Sequence, residues 1–401
     1  MDFDDTPEEA AFRAEARAWL EANADPRTGD EASSMTRASS EGHVERCQAW
    51  QRTLYDGGWA GITWPKEYGG RGGTANEARI FNEEQAGFDV TTGAFAVAIG
   101  MVGPTLIAHG TPEQQQQFLD PMLRGDELWC QLFSEPGAGS DLAGLSTRAE
   151  VDGDEFVVNG QKVWNSGAQH SQWGILLART DPTVPKHQGI TYFVVDMATP
   201  GIEVRPLRQI TGHAHFNETF LTDVRIPAEG VVGEVDGGWG VTLTTLLNER
   251  ALIAGGAAGQ WEQVLGVAGA FGRRDDPQAR QDLARQYTRQ QLLAYLGYRV
   301  QTAVSQGRMP GPEASVMKLA YSLHAHEMGN LLTALEGPAA TLSGDDAVRN
   351  SFAQDMFLGQ WSWRIGGGTD QVQRNIIGER SLGLPREPRL DKTVPFNELP
   401  R

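Results

Sequence analysis

The chain has 401 residues, 40% of them hydrophobic, with a formal net charge of −18, which suits two or three packed units. The acidic balance argues against general nucleic-acid binding, since phosphates would be repelled; no apolar run is long enough to span a bilayer, and two cysteines, Cys47 and Cys130, are too few for a disulfide framework. The start, Met1-Asp-Phe-Asp-Asp-Thr-Pro7, lacks the marks of a secretion signal or transit peptide, so a cytoplasmic protein with reduced thiols is expected.

From Thr6 to about Gly125 the chain reads as helical. Phe12, Ala16, Trp19 and Leu20 fall at helical spacing. Thr6-Pro7-Glu8-Glu9 supplies a capping hydroxyl, a proline for the first turn and acids after it. Thr111-Pro112-Glu113 repeats that chemistry, and the stretch 58–73 is a loop crowded with glycine. The second zone, about 127–235, is β-prone. Asn159-Gly160, between two short apolar runs, predicts a hairpin turn. Further strands are expected at 173–178, 190–195, 202–206 and 218–226. The third zone is helical again, with helices expected over 241–268, 280–306, 312–335 and 370–380. Gly255-Gly256 weakens the first of these by about 1 kcal/mol per glycine relative to alanine. The order predicts an α+β multi-domain fold: an N-terminal helical domain (1–125), a central antiparallel β domain (126–236) and a C-terminal four-helix bundle (237–401).

Two segments of the β zone carry chemistry. Ser134-Glu-Pro-Gly-Ala-Gly-Ser-Asp141 offers backbone N–H groups and short oxygen side chains to a flat polar ligand. Lys162-Val-Trp-Asn-Ser166 follows with an aromatic ring and a hydroxyl. Read as residues alone, the first is equally a solvated turn, and Trp164 is equally sheet core. Together the two segments resemble the flavin-facing motifs of the acyl-CoA dehydrogenase family. The match holds at Ser134, Glu135, Gly139, Ser140, Asp141 and Gly144, and departs at Leu132-Phe133, where smaller or aliphatic residues are usual. The resemblance implies FAD as cofactor. It places Phe133 and Ser134 against the isoalloxazine ring, Ser140 on the substrate's pantetheine arm, Trp164 near the flavin and Ser166 on its N5.

The C-terminal end, Gly367-Gly-Thr-Asp-Gln-Val-Gln-Arg-Asn-Ile-Ile-Gly378, is similar to that of the same family. The resemblance gives Gly368, Thr369 and Gln371 to FAD and leaves the Gly367 N–H to donate to a thioester carbonyl. Many members carry their catalytic glutamate where this chain has Gly367, and glycine cannot take a proton. The adenine contacts are unassigned, because 355–361 lacks the family's paired glycines. Arg273 loosely matches an arginine that reaches a neighbouring subunit's FAD pyrophosphate, a task suited to its planar fork. A basic residue favoured by a helix C-terminus is the other reading.

The missing acid turns attention to Leu246-Leu-Asn-Glu-Arg250, which resembles the isovaleryl-type and long-chain-type members whose base sits on this helix. Glu249 is the matching position, Arg250 follows it as in the family, and Leu246 is a candidate for the acyl pocket. Thr242, Glu249 and Gly256 recur every seventh residue, drift only about 20° per step and share a helix face. An exposed ion-pairing Glu249-Arg250 dipeptide is the plainer alternative. His170, His187, His213 and His215 show no metal spacing, and His213-Ala-His215 reads as a surface loop.

The expectation is an FAD-dependent acyl-CoA dehydrogenase that removes the α-proton with Glu249 while the β-hydride passes to flavin N5. The implied partners are an acyl-CoA substrate and an electron-transfer flavoprotein, in a homotetramer or a mixed tetramer with a paralogous subunit. A non-catalytic subunit of a mixed assembly and a flavin oxidase or monooxygenase are the alternatives. The acyl group is not legible.

Overall fold

The structure is a computed structural model that describes residues 5–27, 37–38, 40–255, 261–305, 313–386 and 391–399. Three of its N-terminal helices begin at reciprocal caps. In α1 (Pro7–Asn23) the Thr6 hydroxyl accepts from the Glu9 N–H at 3.2 Å and the Glu9 carboxylate accepts from the Thr6 N–H at 2.9 Å. The helix α2 (His43–Asp56) follows. The helix α3 (Ala75–Gln85) repeats the cap with Thr74 and Glu77. After a π-helical turn at Ala98–Val102 and α4 (Gly103–His109), α5 (Pro112–Arg124) repeats it with Thr111 and Gln114. Phe12, Ala16 and Leu20 form the buried face of α1, as their spacing predicts.

The central sheet has seven strands: β1 (Trp129–Leu132), β2 (Arg148–Asp152), β3 (Glu155–Val163), β4 (Trp173–Arg179), β5 (Ile190–Asp196), β6 (Ile202–Leu207) and β7 (Phe216–Pro227). It is mixed rather than antiparallel throughout. β1 runs parallel to β4 with Trp129 opposite Trp173, and Arg148 of β2 meets Arg179 in the same sense. The β4–β5, β2–β3, β3–β7 and β6–β7 pairs are antiparallel. Period-two alternation divides the side chains between two cores. Trp129, Ile175, Leu177, Tyr192 and Val194 face the N-terminal helices, whereas Cys130, Leu132, Leu176, Phe193 and Val195 face the other side of the sheet.

Asn159-Gly160 does not form the predicted turn. β3 runs straight through it, and the β2–β3 reversal falls at Asp152–Glu155, where Gly153 has φ 68°. The pair marks a break in register against β7 between Val158 and Gly160. Asn159 fills the break by donating to Asp223 Oδ1 and accepting from the Asp223 N–H, each at 3.0 Å. A Cβ on Gly160 would lie 2.3 Å from Thr147 Oγ1, so the close approach of Thr147, just before β2, requires the glycine.

The C-terminal region is helical: α6 (Gly238–Gly255), α7 (Trp261–Ala270), α8 (Pro277–Ser305), α9 (Glu313–Glu336), α10 (Phe352–Ile365) and α11 (Asp370–Ile376). The helix expected over 241–268 is described as α6 and α7, with 256–260 outside the described residues. The last helix passes into a π-helical turn, Ile377–Ser381, instead of continuing regularly to Arg380. Val264, Val267, Leu283, Leu332 and Phe352 are among the side chains that build the core of this region.

Candidate active site

The loop that leaves β1 is anchored by a buried ion pair. Lys162, with no exposed side-chain surface, donates from Nζ to Glu135 Oε1 at 2.8 Å and to the Phe133 carbonyl at 3.0 Å. The Glu135 carboxylate also accepts the N–H groups of Ser146 at 2.7 Å and Thr147 at 2.9 Å. Burial alone would raise the Glu135 pKa, but Lys162 and these donors hold it below the usual range. The loop doubles back at once, with Glu135 and Ala138 exchanging backbone hydrogen bonds of 3.1 and 3.0 Å. Neither Glu135 nor Lys162 was given a role from sequence; a buried charge pair leaves no periodic signal.

The two β-zone motifs lie side by side. The Val163 N–H donates to the Ser134 carbonyl at 2.9 Å, and Asn165 Nδ2 donates to the Gln131 carbonyl at 2.8 Å. Asn165 is buried and locked to β7, accepting from Thr219 Oγ1 at 3.0 Å. Between these anchors Trp164 adopts φ 65°, a left-handed conformation uncommon for a side chain of this size. It is 60% exposed and meets only the edge of Phe216 among the described aromatic pairs, at 5.9 Å. Trp164 is therefore not sheet core. Ser166 and Ser140 are likewise exposed, and Ser134 is half-buried.

Phe133 is buried. Its ring is 3% exposed and packs edge-on against Tyr192 at 5.8 Å, within the core shared with the N-terminal helices. Tyr192 leads on to α6: its Oη lies 3.1 Å from Thr245 Oγ1, which is 3.0 Å from Thr105 Oγ1 of α4. Thr242 and Thr245 are fully buried, and Leu246 packs on the same core. One turn beyond Thr245 stands Glu249, half-buried on α6. The Arg250 side chain and Gly256 lie outside the described residues. Leu252 closes over the π-helical turn, where a Cβ on Gly100 would lie 2.6 Å from Leu252 Cδ1.

In the C-terminal segment Gly367 and Gly368 both have positive φ, 63° and 86°, a conformation that glycine adopts without strain. Gln373 Nε2 ties the turn by donating to the Gly367 carbonyl at 2.9 Å. Thr369 caps α11, accepting from the Val372 N–H at 3.1 Å, and Gln371 is exposed. Asp370, 1% exposed, accepts from Ser322 Oγ at 2.5 Å and Arg364 Nε at 2.8 Å. Arg273 is largely exposed and lies 3.5 Å from Asp276. Its neighbour Arg274 takes the helix-end role, donating to the Leu265 carbonyl from Nε at 3.1 Å and Nη2 at 2.9 Å.

His213 and His215 do not form a free surface loop. Both are half-buried, and His213 Nε2 lies 3.5 Å from Oδ1 of Asp355, a buried carboxylate on α10. Both cysteines are buried free thiols, and burial pushes Cys130 up to about 12. Among the described residues no group of three or more His, Cys, Asp or Glu side chains could hold a metal ion, and no helix is long and apolar enough to cross a membrane.

Comparison with known proteins agrees with this arrangement. The N-terminal, middle and C-terminal domain models of acyl-CoA dehydrogenase match residues 6–126, 130–224 and 236–382. The chain belongs to the acyl-CoA dehydrogenase family, flavoprotein oxidoreductases acting on CH–CH bonds. It is 38% identical over 391 residues to the acyl-CoA dehydrogenase IpdE1 of Mycobacterium tuberculosis, covering 94% of this chain and 98% of that one. It is 42% identical over 339 residues to FadE34 of the same organism, covering 84% of this chain and 46% of the relative, so the chain spans about half the length of that longer protein. A solved structure described as the Tcur3481-Tcur3483 steroid ACAD superposes with a TM-score of 0.82 at 33% identity, covering 96% of this chain and all of that one.

Proposed function

We propose that the chain is an FAD-dependent dehydrogenase that desaturates the α,β bond of an acyl-CoA thioester, with Glu249 as the α-proton base. The observation that carries this reading is the Phe133–Tyr192–Thr245 chain of contacts. It fixes the helix bearing Glu249 to the residue that opens the Ser134 loop. Gly367, held at φ 63°, has no carboxylate to compete for the role.

The exposed surface of this chain suits a flat, polar cofactor. Trp164 offers a large aromatic face beside the Ser166 hydroxyl, on a backbone that buried Lys162 and Asn165 keep from relaxing. Ser134, Trp164 and Ser166 would hold the ring end of FAD, with Phe133 contributing only its main chain. Gly368, Thr369, Gln371 and Arg273 would hold the remainder, the last by way of a neighbouring subunit. When bound, the flavin supplies the acceptor for the β-hydride. The chain's own residues do the rest: the Gly367 N–H donates to the thioester carbonyl, Ser140 meets the pantetheine arm, Leu246 and Arg250 bind the substrate, and Glu249 takes the α-proton.

The steroid ACAD likeness at 33% identity supports a steroid-derived thioester as the substrate class. The same description names two components, which supports a mixed assembly with a paralogous subunit over a homotetramer. An electron-transfer flavoprotein is the proposed electron acceptor, and the cytoplasm the proposed location. Anaerobic flavin bleaching tests the reading against straight, branched and steroid-derived acyl-CoA thioesters, with the chain alone and with a candidate partner. Bleaching by none of them, in either setting, sinks it.

A further inference from the structure

The last described segment of the chain, 391–399, returns to the β domain. Pro395 forms a bridge with Pro185, the Phe396 N–H donates to the Val184 carbonyl at 2.9 Å, and the Asn397 N–H donates to the Pro182 carbonyl at 3.0 Å. Two side-chain connections run from this contact to the far end of the Ser134 loop.

The first passes through Lys186, which is 6% exposed. Its Nζ lies 2.9 Å from Asp391 Oδ2 and donates to both carboxylate oxygens of Asp141 at 2.8 Å. The second passes through Arg179, which is 3% exposed. The Arg179 guanidinium donates to the carbonyls of Ala143 at 2.6 Å, Lys186 at 3.1 Å and Leu145 at 3.2 Å. Phe396 covers that guanidinium, its ring centroid 3.6 Å from Cζ. Burial pulls the Arg179 pKa down to about 10, so the ring and the carbonyls stand where solvent otherwise would.

The outer rim of the loop has nothing comparable. A Cβ on Gly137 or Gly139 would meet no atom within 4 Å. The loop is thus held at one end by the Glu135–Lys162 pair and at the other by Lys186 and Arg179, both clasped by the C-terminal segment. Exposed Ser140 lies between these anchors.

We propose that 391–399 is a strap that keeps the 140–145 loop in the geometry that grips the acyl-CoA carrier arm, with Asp391 and Phe396 as positioning residues acting through Lys186 and Arg179. The inference deepens the reading of Ser140 given above and rests on it. The strap sets substrate affinity and leaves the proton and hydride steps to other residues.

The test uses full-length, flavin-loaded protein carrying Asp391→Asn together with Phe396→Ala, with Phe396→Trp alone as the conservative variant. The double variant is expected to raise KM for the acyl-CoA about tenfold and to hold kcat within about twofold. Backbone amides of 139–147 should exchange about tenfold faster, whereas Phe396→Trp alone keeps both values near those of the wild type. Unchanged KM and exchange overturn the proposal, as does a fall in kcat with the loop's exchange unaltered. A chain ending at Arg386 gives the larger effect if it folds; the point variants decide the matter if it does not. Hydrogen exchange needs no substrate. A wild-type chain unresponsive to every thioester therefore sinks the functional reading, while the strap's hold on the loop is still measured.

Discussion

Lys162 Nζ lies 2.8 Å from Glu135 Oε1 with the lysine side chain wholly buried, and this pair joins strand β3 to the loop that defines the site. The salt bridge is weak evidence for stability in itself, because two charges had to be desolvated. Its partners make it costly to break. Lys162→Met leaves Glu135 as an uncompensated buried charge and is expected to destabilise the fold by about 3–5 kcal/mol. Adding Glu135→Gln should recover part of that loss. Chemical denaturation of the two variants measures both values, and equal midpoints for single and double variants would contradict the coupling.

Phe133 and Trp164 should separate cleanly. Phe133 is core, so Phe133→Ala is expected to cost about 3–5 kcal/mol. Trp164 is 60% exposed, and Trp164→Ala should change stability by less than about 1 kcal/mol while lowering FAD content. Purification of the two variants, with flavin-to-protein absorbance and a thermal melt for each, decides the point. A Trp164 variant that keeps its full complement of flavin removes that residue from the cofactor site.

β4 and β5 were legible because apolar residues such as Ile175, Leu177, Tyr192 and Val194 mark runs that bury both faces, and β7 because its buried residues alternate. β2 was not, since only Ala149 of its five residues is buried. Asn159-Gly160 carries the composition of a hairpin turn yet serves a bulge, because the side chain needed by Asp223 and the glycine needed by Thr147 happen to be the same dipeptide. The site motifs were readable as residue types. Their orientation was not, since the segment around Trp164 is pinned through Lys162 to Phe133 and through Asn165 to Gln131 and Thr219, and Phe133 turns inward onto Tyr192, all partners distant in sequence. The tail's docking through Phe396 on Arg179 is also a tertiary contact without local signature.

Asp370 gives a pH dependence. Burial alone would raise its pKa, but Ser322, Arg364 and Lys318 together hold it below the ordinary value. The unfolded chain therefore binds the proton more readily than the folded one. Stability from this group is fully present above the unfolded pKa of about 4 and is lost as pH falls through the lower folded value. Asp370→Asn should lower the denaturation midpoint at pH 7, and its difference from wild type should shrink below about pH 4. A difference that is constant from pH 7 to pH 3 rules out the linkage.

Glu249 and Gly367 make opposite predictions about where the proton goes. If Glu249 is the base, Glu249→Gln keeps FAD bound and loses flavin reduction by at least about a hundredfold, the lower range for removing a positioned general base. Gly367→Glu tests whether the acid position of other family members is available. The backbone there has φ 63°, so any side chain costs about 1–2 kcal/mol. The expected result is a destabilised chain in which Gly367→Glu does not restore activity to Glu249→Gln. Stopped-flow bleaching of the three variants gives the answer in one experiment. Normal bleaching in Glu249→Gln takes that residue out of the mechanism, and rescue by Gly367→Glu would mean that the turn relaxes around a carboxylate despite its left-handed backbone.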